Sequence, residues 1–316
     1  MPNSKQRFQQ KAAELAALTE KTLTQDDFDD LQNALLGNNN YLAAQAAAVV
    51  AQKKIDGLMP DLLAAYDFFM DEGAKRDKGC LAKMAVVKAL VALNGYEEAL
   101  YLQGVRYIQM EPVYGGQADT AADLRSQCAL GLLQMGYEDI LFELVNLLQD
   151  RELQCRMTAV SALVSMGSDA SELLLRFKCL AGDPDPKVID NCFAGLLEIN
   201  LDRSLSFVAQ FVDGEDEVLA ESAALALGET SDLRTFKLLH GVWESTVSES
   251  RRTALMLPIA LTRQEAAFQF LFETIKMGPE VYAKAALEAC RIYDYDEAFQ
   301  ERVREAREGR RLGEGK

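Results

Sequence analysis

Histidine and tryptophan occur once each, as His240 and Trp243, in a chain of 316 residues. A lone histidine cannot build a histidine-based metal centre, and no HExxH run is present, so no metal site is expected. Its setting in "FKLLHGVWE" reads as a helix-end or partly buried side chain. No CxxC pair occurs among the six cysteines, Cys80, Cys128, Cys155, Cys179, Cys192 and Cys290. Most lie inside apolar helical runs, where cysteine acts as a small hydrophobe in a reducing compartment. No GxxxxGK[ST] run, no GxGxxG after a strand and no GxSxG elbow is found, which argues against nucleotide binding and serine hydrolase chemistry. No window of about eighteen apolar residues is free of charge, and no apolar block follows the N-terminus. A cytoplasmic protein with neither membrane span nor signal peptide is expected. Positive charge is also in short supply: 33 Lys and Arg against 49 Asp and Glu give a formal charge of -16 and a pI near 4.6. A field of that sign disfavours nucleic acid and anionic lipid and favours another protein, basic or neutral, as partner.

What is present is a repeat. An apolar or small residue is followed three positions later by a small residue and usually seven later by an apolar one. The pattern begins at Ala48, Val86, Cys128, Ala159, Cys192, Ala223, Ala254 and Ala286, giving intervals of 38, 42, 31, 33, 31, 31 and 32. Offsets of three and seven share one helical stripe. The residue at offset three is Ala51, Ala89, Gly131, Ala162, Gly195, Ala226, Leu257 or Ala289, small in seven of eight cases, which permits close approach of a second helix. Between these segments lie "YEDILFELVNLLQD", "SELLLRFKCLAGD", "SLSFVAQFVDG" and "AAFQFLFETIKMG", each another amphipathic helix bounded by turn residues. No segment alternates in the manner of a strand. The unit is therefore helix, turn, helix, used about eight times, and the class is all-α.

Turn and helix are also linked by a spacing of six between an acidic or amide residue and a basic or amide one. Asp77 precedes Lys83, Asp119 precedes Arg125, Asp150 precedes Arg156, and Asn39 precedes Gln45. With the "ALG"-like helix ends, this spacing resembles HEAT repeats, in particular the short bacterial HEAT-like type also found in phycobilisome lyase subunits. The resemblance covers residues 26 to 300 and implies a right-handed α-α solenoid in which these side chains form a hydrogen-bonded ladder. Later units depart from it, with Ile189, Ala220 and Ala283 at the basic position. Residues 1 to 25 are placed to cap the first unit, and residues 301 to 316 read as a charged helix end fading into a tail, because terminal repeats must shield a core edge. Pro258 predicts a kink in the seventh unit. The acidic turn "DGEDE", residues 213 to 217, suits a helix N-terminus.

The two long intervals mark insertions near residues 71 to 79 and 107 to 118. The second contains "EPVYGGQ", where Pro112 restricts the start, Tyr114 offers an aromatic with a polar tip, and Gly115 and Gly116 permit unusual backbone conformations. Solenoid insertions map to loops, often on a binding face. Glu111, Tyr114, Gly115, Gly116 and Gln117 are therefore the candidate binding residues, with Trp243 as a possible aromatic anchor elsewhere. Because the repeat supplies an extended surface and the residues supply no catalyst, the expected function is a non-catalytic scaffold or adaptor that binds another protein and needs no cofactor. The resemblance implies an alternative: a bilin lyase-like or chaperone-like protein handling an open-chain tetrapyrrole on a cofactor-bearing partner.

Overall fold

The computed structural model describes residues 4 to 314. Its contacts divide the chain into two compact units, Met1–Ala162 and Leu163–Lys316. The first holds α1 (Ser4–Ala17), α2 (Gln25–Leu35), α3 (Asn40–Lys53), α4 (Met59–Met70), α5 (Leu81–Ala92) and α6 (Glu98–Val105). It continues with strands β1 (Met110–Val113) and β2 (Gly116–Asp119), then α7 (Ala122–Gln134), α8 (Ile140–Leu148) and most of α9 (Leu153–Met166). The second unit holds α10 (Asp169–Ala181), α11 (Pro186–Ile199), α12 (Leu201–Val212), α13 (Glu217–Glu229) and α14 (Leu233–Ser245). It ends with α15 (Glu249–Ala254), α16 (Met256–Leu261), α17 (Glu265–Met277), α18 (Glu280–Ala289) and α19 (Glu297–Glu314).

The class is all-α, and each unit is a stack of helical hairpins. In the first unit α3 packs on α5 and α5 on α7; in the second, α11 packs on α13, α13 on α16 and α16 on α18. This every-other-helix contact is what a repeated hairpin produces when one unit buries the open face of the next. Turn chemistry sets the helix starts. Thr24 and Asp27 form a reciprocal capping box at α2, and Asn39, Ser168, Asp185, Asn200, Asp216, Asp232 and Ser248 each cap a helix by accepting a backbone N–H. Asp216 thus accounts for one acid of the "DGEDE" turn, and Asp213 pairs with Arg251 at 3.1 Å.

Small residues sit where helices come closest. A Cβ on Gly131 would stand 2.8 Å from the buried Tyr101 ring, and one on Gly195 would stand 2.2 Å from Val164 Cγ2. Leu257 breaks the pattern because the helix itself breaks. Pro258 has no N–H to offer Ala254, so α15 ends there and α16 starts anew after Leu255, leaving Leu257 37% exposed. At the ends, α1 packs on α3 with Leu15 and Leu18 buried, and α19 packs on α17 through Phe299, Val303 and Ala306. Helix α19 runs to Glu314, further than the sequence suggests; the last two residues of the expected tail lie outside the described residues.

The reading that no segment forms a strand needs correction. β1 and β2 pair antiparallel, with Met110 opposite Asp119 and Val113 opposite Gly116. Tyr114 and Gly115 make the two-residue turn, and only Gly115, at φ 88°, uses a conformation reserved for glycine; Gly116 does not, and is a strand residue. The signal was weak because each strand has four residues, and Pro112 and the glycines are poor strand formers.

Candidate functional site

The two insertions fold onto one another within the first unit, and a buried polar cluster joins them. Asp77 lies near the end of the first insertion and is fully buried; its carboxylate accepts from the backbone N–H groups of Ala82 and Lys83, both at 3.0 Å, and from Asn40 Nδ2 at 3.0 Å. Lys83, buried to the same degree, places Nζ 3.1 Å from Asp77 Oδ2, donates to the Phe69 carbonyl at 3.2 Å and lies 5.5 Å from the Tyr107 ring centroid. From the second insertion Gln109 Nε2 donates to the Asp77 carbonyl at 2.8 Å and to Glu111 Oε1 at 2.7 Å. Glu111 Oε1 also accepts from Gly79 N at 2.7 Å and Thr120 Oγ1 at 2.8 Å.

Glu111 is therefore not a free binding residue: it is 5% exposed and pins the base of the hairpin to the first insertion. Burial pushes its carboxyl upward, but the donors from Gln109, Thr120 and Gly79 outweigh burial and hold it below the ordinary 4.5. Asp119 ends β2 and turns the chain into α7 by accepting from Gln109 N at 3.1 Å and Ala121 N at 3.0 Å. Arg125, with its side chain 4% exposed, bonds Asp119 at 2.6 Å, the Tyr107 carbonyl at 3.0 Å and both oxygens of Asp150 at 2.8 and 2.9 Å. It joins its own turn to the next one. Arg156 donates to the carbonyls of Asp150 at 2.9 Å and Arg151 at 3.0 Å. Asn39 and Gln45 do not meet: Asn39 caps Leu42, and Gln45 donates to Tyr41 Oη at 3.3 Å.

Fixed at its base, the hairpin projects an apolar end. Tyr114 is fully exposed and Val113 beside it is 51% exposed, while Ile108 and Met110, toward the base, are also exposed. Gly115, Gly116 and Gln117 are exposed beside them. The sixth expected binding residue is in the other unit: Trp243 on α14 is half-buried among Phe270, Tyr282 and His240, with the Arg252 guanidinium 5.0 Å from its ring centroid. Its indole nitrogen is closed off from solvent without a hydrogen-bond partner, and the ring packs against these aromatic neighbours.

Cations at the later turns escaped the sequence reading. Arg252 lies six residues after Thr246 and donates to its carbonyl at 2.8 Å, much as Arg156 does to Asp150; without an acid in the turn the spacing carries no sequence signal. Ile189 supplies no cation to Asp183, but Lys178 on the preceding helix does, at 2.9 Å. Arg251 reaches the Gly214 carbonyl at 2.8 Å, and Arg310 reaches that of Gly278 at 2.8 Å. Each substitution of the basic position is thus offset by an arginine or lysine drawn from another helix.

Among the described residues no cluster of three or more His, Cys, Asp and Glu side chains could hold a metal ion, and no helix is long and apolar enough to cross a membrane. All six cysteines are buried free thiols, and burial pushes Cys80 and Cys290 up to about 12 and Cys155 up to about 11.

No family model matches the chain, and no curated protein matches it. A solved structure of human deoxyhypusine hydroxylase in complex with glycerol is similar at 13% identity, covering 92% of this chain and 99% of that one, with a TM-score of 0.26. That protein is an enzyme. The expectation that the present chain is non-catalytic is corrected: it rested on joining a helical repeat to the lack of a familiar catalytic motif, and the lack of a familiar motif excludes no chemistry.

Proposed function

We propose that this chain is a HEAT-like repeat protein that captures another protein, and that the hairpin end formed by Val113 and Tyr114 makes the primary contact. The observation that carries the reading is the contrast within one short element. The hydrogen-bonded side chains of Gln109, Glu111, Asp119 and Thr120 hold its base, while a fully exposed tyrosine and its half-exposed neighbour Val113 stand at its end. A rigid aromatic presented on an ordered support loses little conformational entropy on binding, which is why tyrosine recurs among residues that dominate interface energies.

The test is site-specific photo-crosslinking with a benzophenone side chain in place of Tyr114, carried out in the source cells. The expected result is one dominant crosslinked protein. That product should fade when Val113→Asp is added and persist when the benzophenone is kept and Val247→Asp, at a more exposed valine elsewhere, is added. A smear of products indifferent to Val113→Asp would sink the proposal.

A further inference from the structure

Helix α10 in the second unit is turned inside out relative to an ordinary surface helix. Its polar residues lie inward: Glu172 is buried and held by Arg176 at 2.8 Å and Arg203 Nε at 3.0 Å, and Lys178 is buried and paired with Asp183 at 2.9 Å. Asp169, at the helix start, pairs with Arg203 at 2.8 Å, and the Arg176 guanidinium lies 4.8 Å from the Phe207 ring centroid. The outward side is apolar: Leu173, Phe177 and Leu180 are 67%, 64% and 67% exposed, and half-buried Leu174 and exposed Ala181 extend the stripe. Residues spaced by three, four and seven share one helical face, so these side chains form a continuous uncovered strip. Single exposed leucines are ordinary. Three large side chains in a row above a buried, internally paired polar layer mark a contact surface.

The strip itself fits a second copy of the chain. It carries no charge, and around it the acids Asp169, Glu172 and Asp183 are matched by Arg176, Lys178 and Arg203, a locally neutral patch in a chain of net charge -16. Two copies therefore meet there with least repulsion, and no free charge on the strip selects a basic or acidic partner. The order of its residues is nearly symmetric, with Phe177 between a leucine four residues before it and one three residues after. Laid antiparallel on its own copy, leucine meets leucine and the phenylalanines meet near the two-fold axis, as an isologous interface requires; opposite ends of the two helix dipoles also lie side by side. The three side chains leave on the order of 350 Å² uncovered, less than the roughly 800 Å² per partner of a standard stable interface, so the pairing is reversible and not permanent.

We propose that α10 pairs antiparallel with α10 of a second copy of this chain, with Phe177 at the centre, in a weak reversible homodimer. The proposal goes beyond the hairpin reading and stands without it. The test is analytical ultracentrifugation of the full chain up to about 300 μM at physiological salt, where a monomer–dimer equilibrium with Kd of about tens of micromolar is expected. Raising the salt tenfold should lower Kd about threefold or more, because it screens the repulsion between two strongly acidic chains. Phe177→Asp and Leu173→Asp should each raise Kd about tenfold or more. Met277→Asp, which adds the same charge at a still more exposed residue ending α17, should change it less than about twofold. All six native cysteines are buried, so Phe177→Cys supplies an accessible thiol: a short bismaleimide should join two chains of Phe177→Cys and leave Met277→Cys monomeric. Thermal melts establish that the variants are folded, and the crosslinking decides the matter if an aspartate variant melts early. A chain that stays monomeric at the highest concentration would overturn the proposal. So would a dimer that survives Phe177→Asp, is lost equally with Met277→Asp, weakens as salt is added, or crosslinks equally through both introduced thiols.

Discussion

Glycine at position 228 does something that alanine, the better helix former, cannot. A Cβ there would stand 2.4 Å from the Pro258 carbonyl oxygen, a backbone atom that cannot swing aside. Gly241 on α14 has nothing within 4 Å of the same point. Replacing glycine by alanine in a helix ordinarily stabilises by about 0.5–1 kcal/mol. Gly241→Ala should therefore raise the melting temperature, while Gly228→Ala should lower it, with a loss of about 1–3 kcal/mol from overpacking. Matched thermal melts check the opposite signs. The buried carboxyl of Glu111 makes a second prediction at this scale. Because its donors hold it below 4.5 in the folded chain, the stability it contributes is complete above that value and is lost as pH falls through the lower folded value. Denaturation between about pH 5 and pH 3 should show this loss, and Glu111→Gln should flatten that part of the profile.

The hairpin and the turns it adjoins separate two kinds of task. Removing Arg125 leaves Asp119 and Asp150 without their shared cation in a nearly closed site, so Arg125→Ala should cost about 3–5 kcal/mol by urea unfolding. Tyr114→Ala removes a fully exposed ring and should leave the unfolding midpoint unchanged within error while weakening partner capture. If Tyr114→Ala instead melted early, the tyrosine would be a packing residue. Much of this element was visible in the sequence as surplus length: the interval of 42 placed extra residues between Val86 and Cys128, and the spacing of six placed Asp119 before Arg125. Its strands were not visible, because four-residue strands with glycine and proline carry almost no alternation. Glu111 was misplaced for a related reason. Sequence shows an acid at the edge of an exposed stretch, but only the docking of one insertion on the other turns it inward to meet Gly79, Gln109 and Thr120.

On the scale of the whole chain the regular interval was the most legible feature, since each hairpin must bury the face its neighbour leaves open and so keeps its length. Where a residue from another helix does the work, as with Lys178 at Asp183 or Arg310 at Gly278, no fixed spacing exists to be read. Charge is legible from composition alone, and it sets the last prediction. Binding to a phosphate backbone depends on releasing counterions with clustered lysine and arginine. Here Arg125, Arg203, Arg234, Arg251 and Arg302 are each engaged by carboxylates of the chain itself, and the 33 basic residues are outnumbered by 49 acidic ones. A fluorescent duplex and a single-stranded oligonucleotide of the same length should therefore both show no saturable binding at physiological salt up to micromolar protein. At low salt any residual association should be weak, indifferent to sequence and lost as salt is added. A submicromolar affinity that survives physiological salt would mean that a basic face exists which the pairing of these arginines conceals, and it would redirect the search for a partner from proteins to nucleic acid.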